Sequence, residues 1–559
     1  MTMKPCNALL VVPKFLRDSF FSMQASCEVV GAHYPAAPLS LMTVAALLPP
    51  QWTCRLIDSN IRDVTDADLA WADLVMTGGM ITQRVNCLDF IDRAQAQGKP
   101  VVVGGPDVTG SAEAYARADF VVVGEAEDII QDFIADWDRG ARCGRYIAEK
   151  FKVDVSRTPV PRFDLIRPQD YLFLNVQFSR GCPFTCEFCD IIEMYGRVPR
   201  VKTTAQMLNE LDTLYRLGYR GHLDFVDDNF IGNKKAVKLF LPHLIAWQRE
   251  HGYPFELSTE ASANLADDNE LLAMMRQANF FLVFVGIESP DTETLVAMQK
   301  KQNTRRSLAD SMHRIYRAGM FVTGGFILGF DSEKGGVAEG MIRCIEDAAV
   351  PVCQIGLLYA LPNTQLTRRL RGENRVFPDD WVMQAYRDGL HDQCSAGLNF
   401  ETARPRRDIL VDLREVLDRV YAPRAYFGRV RRVVRELDRF QPPRHVHEWS
   451  IGGIALRDLI ALLAFVAVRY PRLWLQFAWT IGDCLARRPG SLKVTLILSI
   501  WYLHIGPFSR LVMAALSRQI GAIDRGEWRA PLERSRPDGP PPDASLPRAG
   551  VQPSAVPAL

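Results

Sequence analysis

Short, uninterrupted apolar runs alternate with stretches of helical spacing along most of this chain. From Asn7 to about Arg145 the runs fall at residues 8–12 (ALLVV), 54–58 (CRLID), 74–77 (LVMT), 101–104 (VVVG) and 120–124 (FVVVG). Apolar runs of this length without polar alternation are the pattern of strands buried on both faces of a parallel sheet. They predict a doubly wound, Rossmann-like α/β domain over residues 1–150, a fold that binds ligands beyond the carboxyl ends of its strands. Glycines stand at those ends. Gly78 and Gly79 follow the third run after Thr77, Gly104 and Gly105 the fourth, and Gly124 precedes Glu125 after the fifth. Each could serve a tight turn alone, whereas three such places on one rim point to close backbone approach to a large flat ligand.

Residues 151–172 carry three prolines and little periodicity, the pattern of a linker. A second α/β series follows over residues 173–388, with strands expected near 173–178, 222–226, 255–259, 281–286, 321–328 and 352–359. Helical spacing between them, as at 204–217, 234–251 and 267–278, makes six βα units. Six units suit a partial barrel, whose open side admits a bulky substrate.

Directly after the first strand of that series, SRGCPFTCEFCDII places Cys182, Cys186 and Cys189 in the spacing C-x3-C-x2-C. Three thiolates on one loop could hold zinc, but structural zinc takes four ligands and no further Cys or His lies nearby. A four-iron cluster held by three cysteines leaves one iron open to an outside ligand. The remaining nine of the twelve cysteines are scattered, as core fillers of a reducing compartment are.

The triplet, with Phe188 before its last cysteine, resembles the signature of the radical S-adenosylmethionine (SAM) superfamily. The resemblance implies that the methionyl amine and carboxylate of SAM bind the open iron, and that an electron from a reductase, flavodoxin or ferredoxin cleaves the sulfonium to a 5′-deoxyadenosyl radical. It also implies cofactor contacts downstream. Asp228 lies in VDDNF, where the superfamily usually carries a glycine-rich turn. Glu260 in STEAS looks like a ribose or amino-group ligand, and Gly286 and Glu288 in VGIES and Gly325 in GGFILGF resemble surfaces that pack on adenine and ribose. Carboxylates at strand ends also serve as helix caps or ion-pair partners. Asn233, Lys234 and Lys235 read as a solvated helix start or, alternatively, a phosphate contact.

The first domain is similar to the cobalamin-binding domain fused ahead of the barrel in one radical-SAM subgroup, which includes the hopanoid C-methylases and the magnesium-protoporphyrin cyclases. Thr77–Gly79, Gly104–Gly105 and Gly124 are its matching positions. The chain has no D-x-H-x-x-G motif, and His33 reads as a loop histidine, so the resemblance implies cobalamin without a protein histidine on cobalt. The alternative is a degenerate domain that only supports the barrel. The function implied is C-methylation of an unactivated carbon in an apolar, lipid-like small molecule, against a radical-SAM oxidase or cyclase, or a non-catalytic cobalamin sensor.

Beyond residue 388 the pattern turns helical, with an apolar stripe of Ile409, Leu413, Val416, Leu417 and Val420 in a C-terminal domain over 389–525. LIALLAFVAV from Leu459 and VTLILSIWYLHIG from Val494 are shorter than the ~18–20 residues of a membrane span. They read as buried helices or as helices lying in a membrane surface, with Trp474, Trp479, Trp501 and Tyr502 near the headgroups. Residues 526–559 read as a disordered Pro-rich tail. The N-terminus shows no export signal, so a cytoplasmic chain, peripheral to the membrane at most, is expected. Lys+Arg 66 against Asp+Glu 65 leaves a net +1, which argues against a nucleic-acid partner bound by overall charge.

Overall fold

The computed structural model describes residues 4–16, 18–378, 396–438, 450–451 and 454–531. The expected boundary at 388 and the tail from 532 onward lie outside the described residues.

The N-terminal half supplies β1 (Asn7–Val12), β2 (Tyr34–Ala36), β3 (Thr53–Asp58), β4 (Leu74–Gly78), β5 (Val101–Gly104), β6 (Phe120–Val123) and β7 (Gly144–Ile147). All but β2 form one parallel sheet in the order β3-β1-β4-β5-β6-β7. Alternate residues of each strand feed two separate cores. Leu9 and Val11 pack with Val75, Ile91 and Val103 on one face, and Ala8 and Leu10 with Met76, Val102 and Phe133 on the other. Burial on both faces is why these strands read as unbroken apolar runs. The strand order reverses between β1 and its neighbours, which places the ligand crevice of such a sheet at the carboxyl ends of β1 and β4.

The second half supplies β8 (Tyr171–Val176), β9 (Ser179–Arg180), β10 (Arg200–Val201), β11 (Gly221–Phe225), β12 (Phe255–Ala261), β13 (Phe280–Glu288), β14 (Phe321–Leu328) and β15 (Val352–Leu357). Its large sheet is parallel, in the order β15-β14-β13-β12-β11-β8-β2. The six expected strands are present, and β2 adds a seventh at the open edge by pairing Tyr34 with Tyr171 and Ala36 with Phe173. Three residues with Pro35 at their centre carry too little periodicity to reveal that pairing. The helices start where side chains cap them: Thr203 and Gln206 form a capping box, and Asn233 and Asp268 accept backbone amides at the next two. Asn233 thus acts as a helix cap, and Lys234 Nζ bonds the Asn264 carbonyl at 3.2 Å, the solvated-helix-start alternative.

Helices Arg406–Val420, Pro423–Glu436, Leu456–Arg469, Trp474–Arg487 and Leu492–Asp524 complete the described chain. Arg429, fully buried, bonds the carbonyls of Val350 and Val420 and pairs with Glu346, tying this region to the barrel. Lys493 pairs with Glu256 of β12 at 2.6 Å. The run from Val494 belongs to a helix of 33 residues that continues through Pro507, longer than the apolar stretch alone indicated. Pro489–Asp524 is long and apolar enough to cross a membrane by length and composition, and 61% of its most apolar window is buried in the protein.

Candidate active site

Two rims form the candidate site, and the first of them borders a cavity of about 1000 Å³ that reaches Glu260 at the end of β12. The first comes from the N-terminal sheet, where Thr77, Gly79, Gly104, Gly105 and Gly124 all line the cavity. The Thr77 hydroxyl is spent on the Val11 carbonyl at 2.9 Å. Gly105 and Gly124 have φ of 101° and 93°, in the left-handed region that favours glycine. Gly104 differs from them. A Cβ there would meet nothing closer than the Val122 carbonyl at 3.5 Å, so the fold itself leaves room for a side chain and the bare backbone serves the cavity. Behind the rim, Arg84 and Asp107 form a buried bidentate pair, with the Tyr115 hydroxyl on Asp107 at 2.6 Å. His33 is exposed and rests on Asp170 at 3.1 Å, as a loop residue.

The second rim is the cysteine loop. It leaves the two-stranded ribbon of β9 and β10, and Asp227 shapes its start by accepting the Phe178 and Ser179 amides and the Ser179 hydroxyl. Asp228 accepts the Gly181 amide at 2.7 Å, and Gly181, at φ 98°, packs under the Tyr195, Gly196 and Val198 carbonyls. The Cys182 and Glu187 amides bond Gly196 and Met298. The VDDNF carboxylates therefore position this loop, and Asn229 completes the set by directing Nδ2 at Cys182 Sγ, 3.8 Å away. Gln302 Nε2 approaches Cys186 Sγ at 3.6 Å.

Lys300 stands 5.8 Å from the Phe188 ring, which packs edge-on to Phe330. Glu288, at φ 66°, pairs with Lys300. Gly286 lacks a Cβ where Lys300 Nζ passes 2.7 Å away, and at Gly325 a Cβ would sit 3.0 Å from Phe284. The ion pair occupies Glu288, whereas Glu260 opens onto the cavity with no hydrogen-bond partner among the described residues. Neither Lys300 nor Gln302 was indicated by the motifs, because QKKQN carries no spacing signal and reaches the cysteines only by way of the helix Thr292–Ala297 that follows β13.

Three thiols, two amide donors aimed at sulfur and a buried ammonium group fit an anionic thiolate-bound cluster, whose sulfurs accept such bonds. Burial pushes the Cys182 thiol up, and burial with the Asp190 carboxylate pushes Cys189 well up; metal ligation is what deprotonates thiols so placed. Among the described residues no three Cys, His, Asp or Glu side chains converge on a single-ion site. A cube takes its thiolates on separate irons, so its ligands need no common point.

The two rims are bolted together. Arg180, which precedes the cysteine loop, bonds Glu125 at 2.9 Å and Glu127 at 2.6 Å, and Arg200 bonds the other Glu125 oxygen at 2.8 Å. All four side chains are largely buried, so removing one would strand its partners' charges.

The inner wall also stores protons. Burial raises Asp227 to about 7, and Glu260, exposed at the end of β12, is pushed up as well by partial desolvation and by the charges of Asp224, Asp228 and Asp227. Unfolded, such carboxyls ionise near about 4. Up to about pH 7 the folded state thus holds at Asp227 a proton that the unfolded state has lost, and stability falls as pH rises toward and through that value. His222, lowered by burial to about 4, works in the opposite direction only below about pH 6.5. The thermal midpoint of the cofactor-free protein is expected to drop by about a degree or two from about pH 6.5 to 8.5, with Asp227→Asn flattening the slope.

Residues 29–134 match the family model described as B12 binding domain, residues 176–343 that of the Radical SAM superfamily, and residues 364–518 a domain of unknown function (DUF4070). The chain is 45% identical over 425 residues to an uncharacterized methyltransferase, sll1242, of Synechocystis sp., covering 76% of this chain and 77% of that protein. It is 37% identical over 428 residues to the hopanoid C-2 methylase of Rhodopseudomonas palustris, covering 75% and 78%. The solved structure of the cobalamin-dependent SAM radical enzyme OxsB superposes with a TM-score of 0.56 at 15% identity, covering 95% of this chain and 83% of that one. The methyltransferase TsrM of Kitasatospora setae gives 0.54 at 16% identity, covering 66% and 78%. These two share the fold. The chain belongs to the radical-SAM superfamily, in the family that joins a B12-binding domain to the radical-SAM domain. It is a radical-SAM enzyme, and its cofactors are a [4Fe-4S] cluster, SAM and cobalamin.

Proposed function

We propose that this enzyme is a C-methyltransferase that modifies an unactivated carbon of an apolar, lipid-like small molecule. One observation carries the reading: a single cavity joins the bare glycine rim to Glu260 at the end of β12, and its remaining wall is mostly aromatic and aliphatic. When bound, the cofactors supply radical removal of hydrogen from carbon and a methyl donor. Cys182, Cys186 and Cys189 are the cluster ligands in this reading. Glu260, Gly286 and Gly325 border SAM, with Phe188, Asp228 and Glu288 holding the surrounding loops, and Thr77, Gly79, Gly104, Gly105 and Gly124 form the cobalamin bed. The chain's part is to orient both ligands through the Arg180–Glu125 bolt and to exclude water by apolar walls, which protects a reactive radical. The names of the two closely similar relatives support methyl transfer, and the hopanoid methylase supports an apolar acceptor.

The test uses anaerobically reconstituted holoenzyme, an apolar lipid extract and methyl-labelled SAM. Label is expected on carbon in an organic-phase product. SAM cleavage with no label in any product overturns methyl transfer and favours an oxidase or cyclase.

The C-terminal helices support docking at the cytoplasmic membrane surface, where a reductase, flavodoxin or ferredoxin delivers the electron. Trp501 and Tyr502 face inward, Trp501 lining the cavity and Tyr502 buried, which corrects their expected place at the headgroups. The outward residues are Ile460, Val468, Leu475 and Trp479, 57–85% exposed, beside Arg469, Arg472, Arg487 and Arg488. An apolar patch rimmed by arginines fits an anionic bilayer. Flotation with anionic liposomes is expected for the full chain and lost in Val468→Asp/Leu475→Asp; flotation unchanged in that variant overturns the docking surface.

A further inference from the structure

The barrel lumen below Glu260 is polar in a way that the cofactors do not require. Alternate residues of β12, Glu256, Ser258 and Glu260, all line the cavity, as the two-residue strand period dictates. From β11, His222 and Asp224 join them. His222 Nε2 lies 2.6 Å from Ser258 Oγ, and the Ser258 hydroxyl donates to Asp224. Across the lumen, Thr323 of β14 and Gln354 of β15 line the same cavity, and neither side chain has a hydrogen-bond partner among the described residues. Ser258 stands two residues, about 7 Å along the strand, from the Glu260 end. Aromatic side chains, Phe173, Phe281, Phe284 and Trp501, surround this polar wall.

We infer that the wall of Asp224, Ser258, Thr323 and Gln354 recognises a hydroxyl or amine at one end of an elongated, otherwise apolar substrate. The inference rests on the reading that the cavity admits the methyl acceptor. The charge pattern selects the class of end group. Asp224, Glu256 and Glu260 face the lumen, and among the described lining residues the one cation, Lys493, is already paired with Glu256. An anionic end meets carboxylates with no free positive charge, and a purely hydrocarbon end leaves Thr323 and Gln354 desolvated without partners and Asp224 with the Ser258 hydroxyl alone. A hydroxyl or amine donates to Asp224 and completes the hydrogen bonding of Thr323 and Gln354. A buried polar site built for such a group discriminates strongly against an analogue that lacks it. With that end held in the lumen, the apolar body extends toward the glycine rim.

The test measures binding to the reconstituted holoenzyme by equilibrium dialysis with tritiated decanol, competed by decylamine, decane and decanoate. Decanol and decylamine are expected to bind about tenfold or more tighter than decane or decanoate. Asp224→Asn/Ser258→Ala is expected to erase the preference while iron and cobalt content and decane affinity stay constant. Thr323→Val/Gln354→Leu, which breaks no internal hydrogen bond, is expected to reduce it as well and guards against misfolding of the first variant. Equal binding of decane and decanol, binding of decanoate as tight as decanol, or a preference kept in both variants overturns the inference. Because the readout is binding, it separates from the function test. A retained alcohol preference without methyl transfer sinks only the proposed reaction, and methyl transfer without the preference sinks only the recognition site.

Discussion

Changing Cys182, Cys186 and Cys189 together to Ala is expected to leave a folded chain with background SAM cleavage, its iron falling from about four atoms per chain to about none. The loop does not depend on its thiols for shape. Gly181 is held by Asp228, the Cys182 amide by Gly196 and the Glu187 amide by Met298, and none of these bonds uses sulfur. Circular dichroism and the thermal midpoint of the cofactor-free variant should therefore match the parent, while the visible absorption of reconstituted protein is lost. The effect is close to total because the remaining neighbours, the amides of Asn229 and Gln302, the Lys300 ammonium and the single Asp190 carboxylate, cannot replace three thiolates. Normal SAM cleavage by this variant would refute the cluster assignment and everything that follows from it.

Gly104→Leu is expected to lower cobalamin affinity by more than about tenfold, equivalent to about 1.4 kcal/mol, with the cluster and the fold intact. The Cβ has room beside Val122, so the added carbons project into the cavity where the flat ligand would lie. Gly78→Ala is the control with the opposite signature. Its Cβ would lie inside the Gly104 carbonyl, which forces β4 and β5 apart and costs about 1–3 kcal/mol of stability before any ligand is considered. Cobalt content per chain separates the two. Full cobalt occupancy in a stable Gly104→Leu would move the cobalamin site off this rim.

Most of the strands and the ends at which the chemistry gathers were legible because their signals are local. Runs such as ALLVV and VVVG show burial on both faces within a few residues, and the triplet Cys182, Cys186 and Cys189 lies inside one loop. Glu260 and Glu288 looked alike in the sequence, both being carboxylates at strand ends. Their difference comes from Lys300, twelve residues beyond Glu288, which folds back to pair with one and leaves the other open to the cavity. For Trp501 and Tyr502 the sequence left burial and a membrane surface both open, and packing of their helix against the barrel decides for burial.

Local spacing alone determined two series of buried strands, a three-thiolate loop and a rim of bare backbone, since periodicity and ligand spacing are properties of consecutive residues. Tertiary structure decided which side chains meet. It brought Arg180 to Glu125 and Lys493 to Glu256, carried Tyr34–Ala36 onto the second sheet, and opened one cavity from the glycine rim to Glu260. Such pairings join residues dozens to hundreds of positions apart, and their chemistry exists only once hydrophobic burial of both sheets has drawn those positions together.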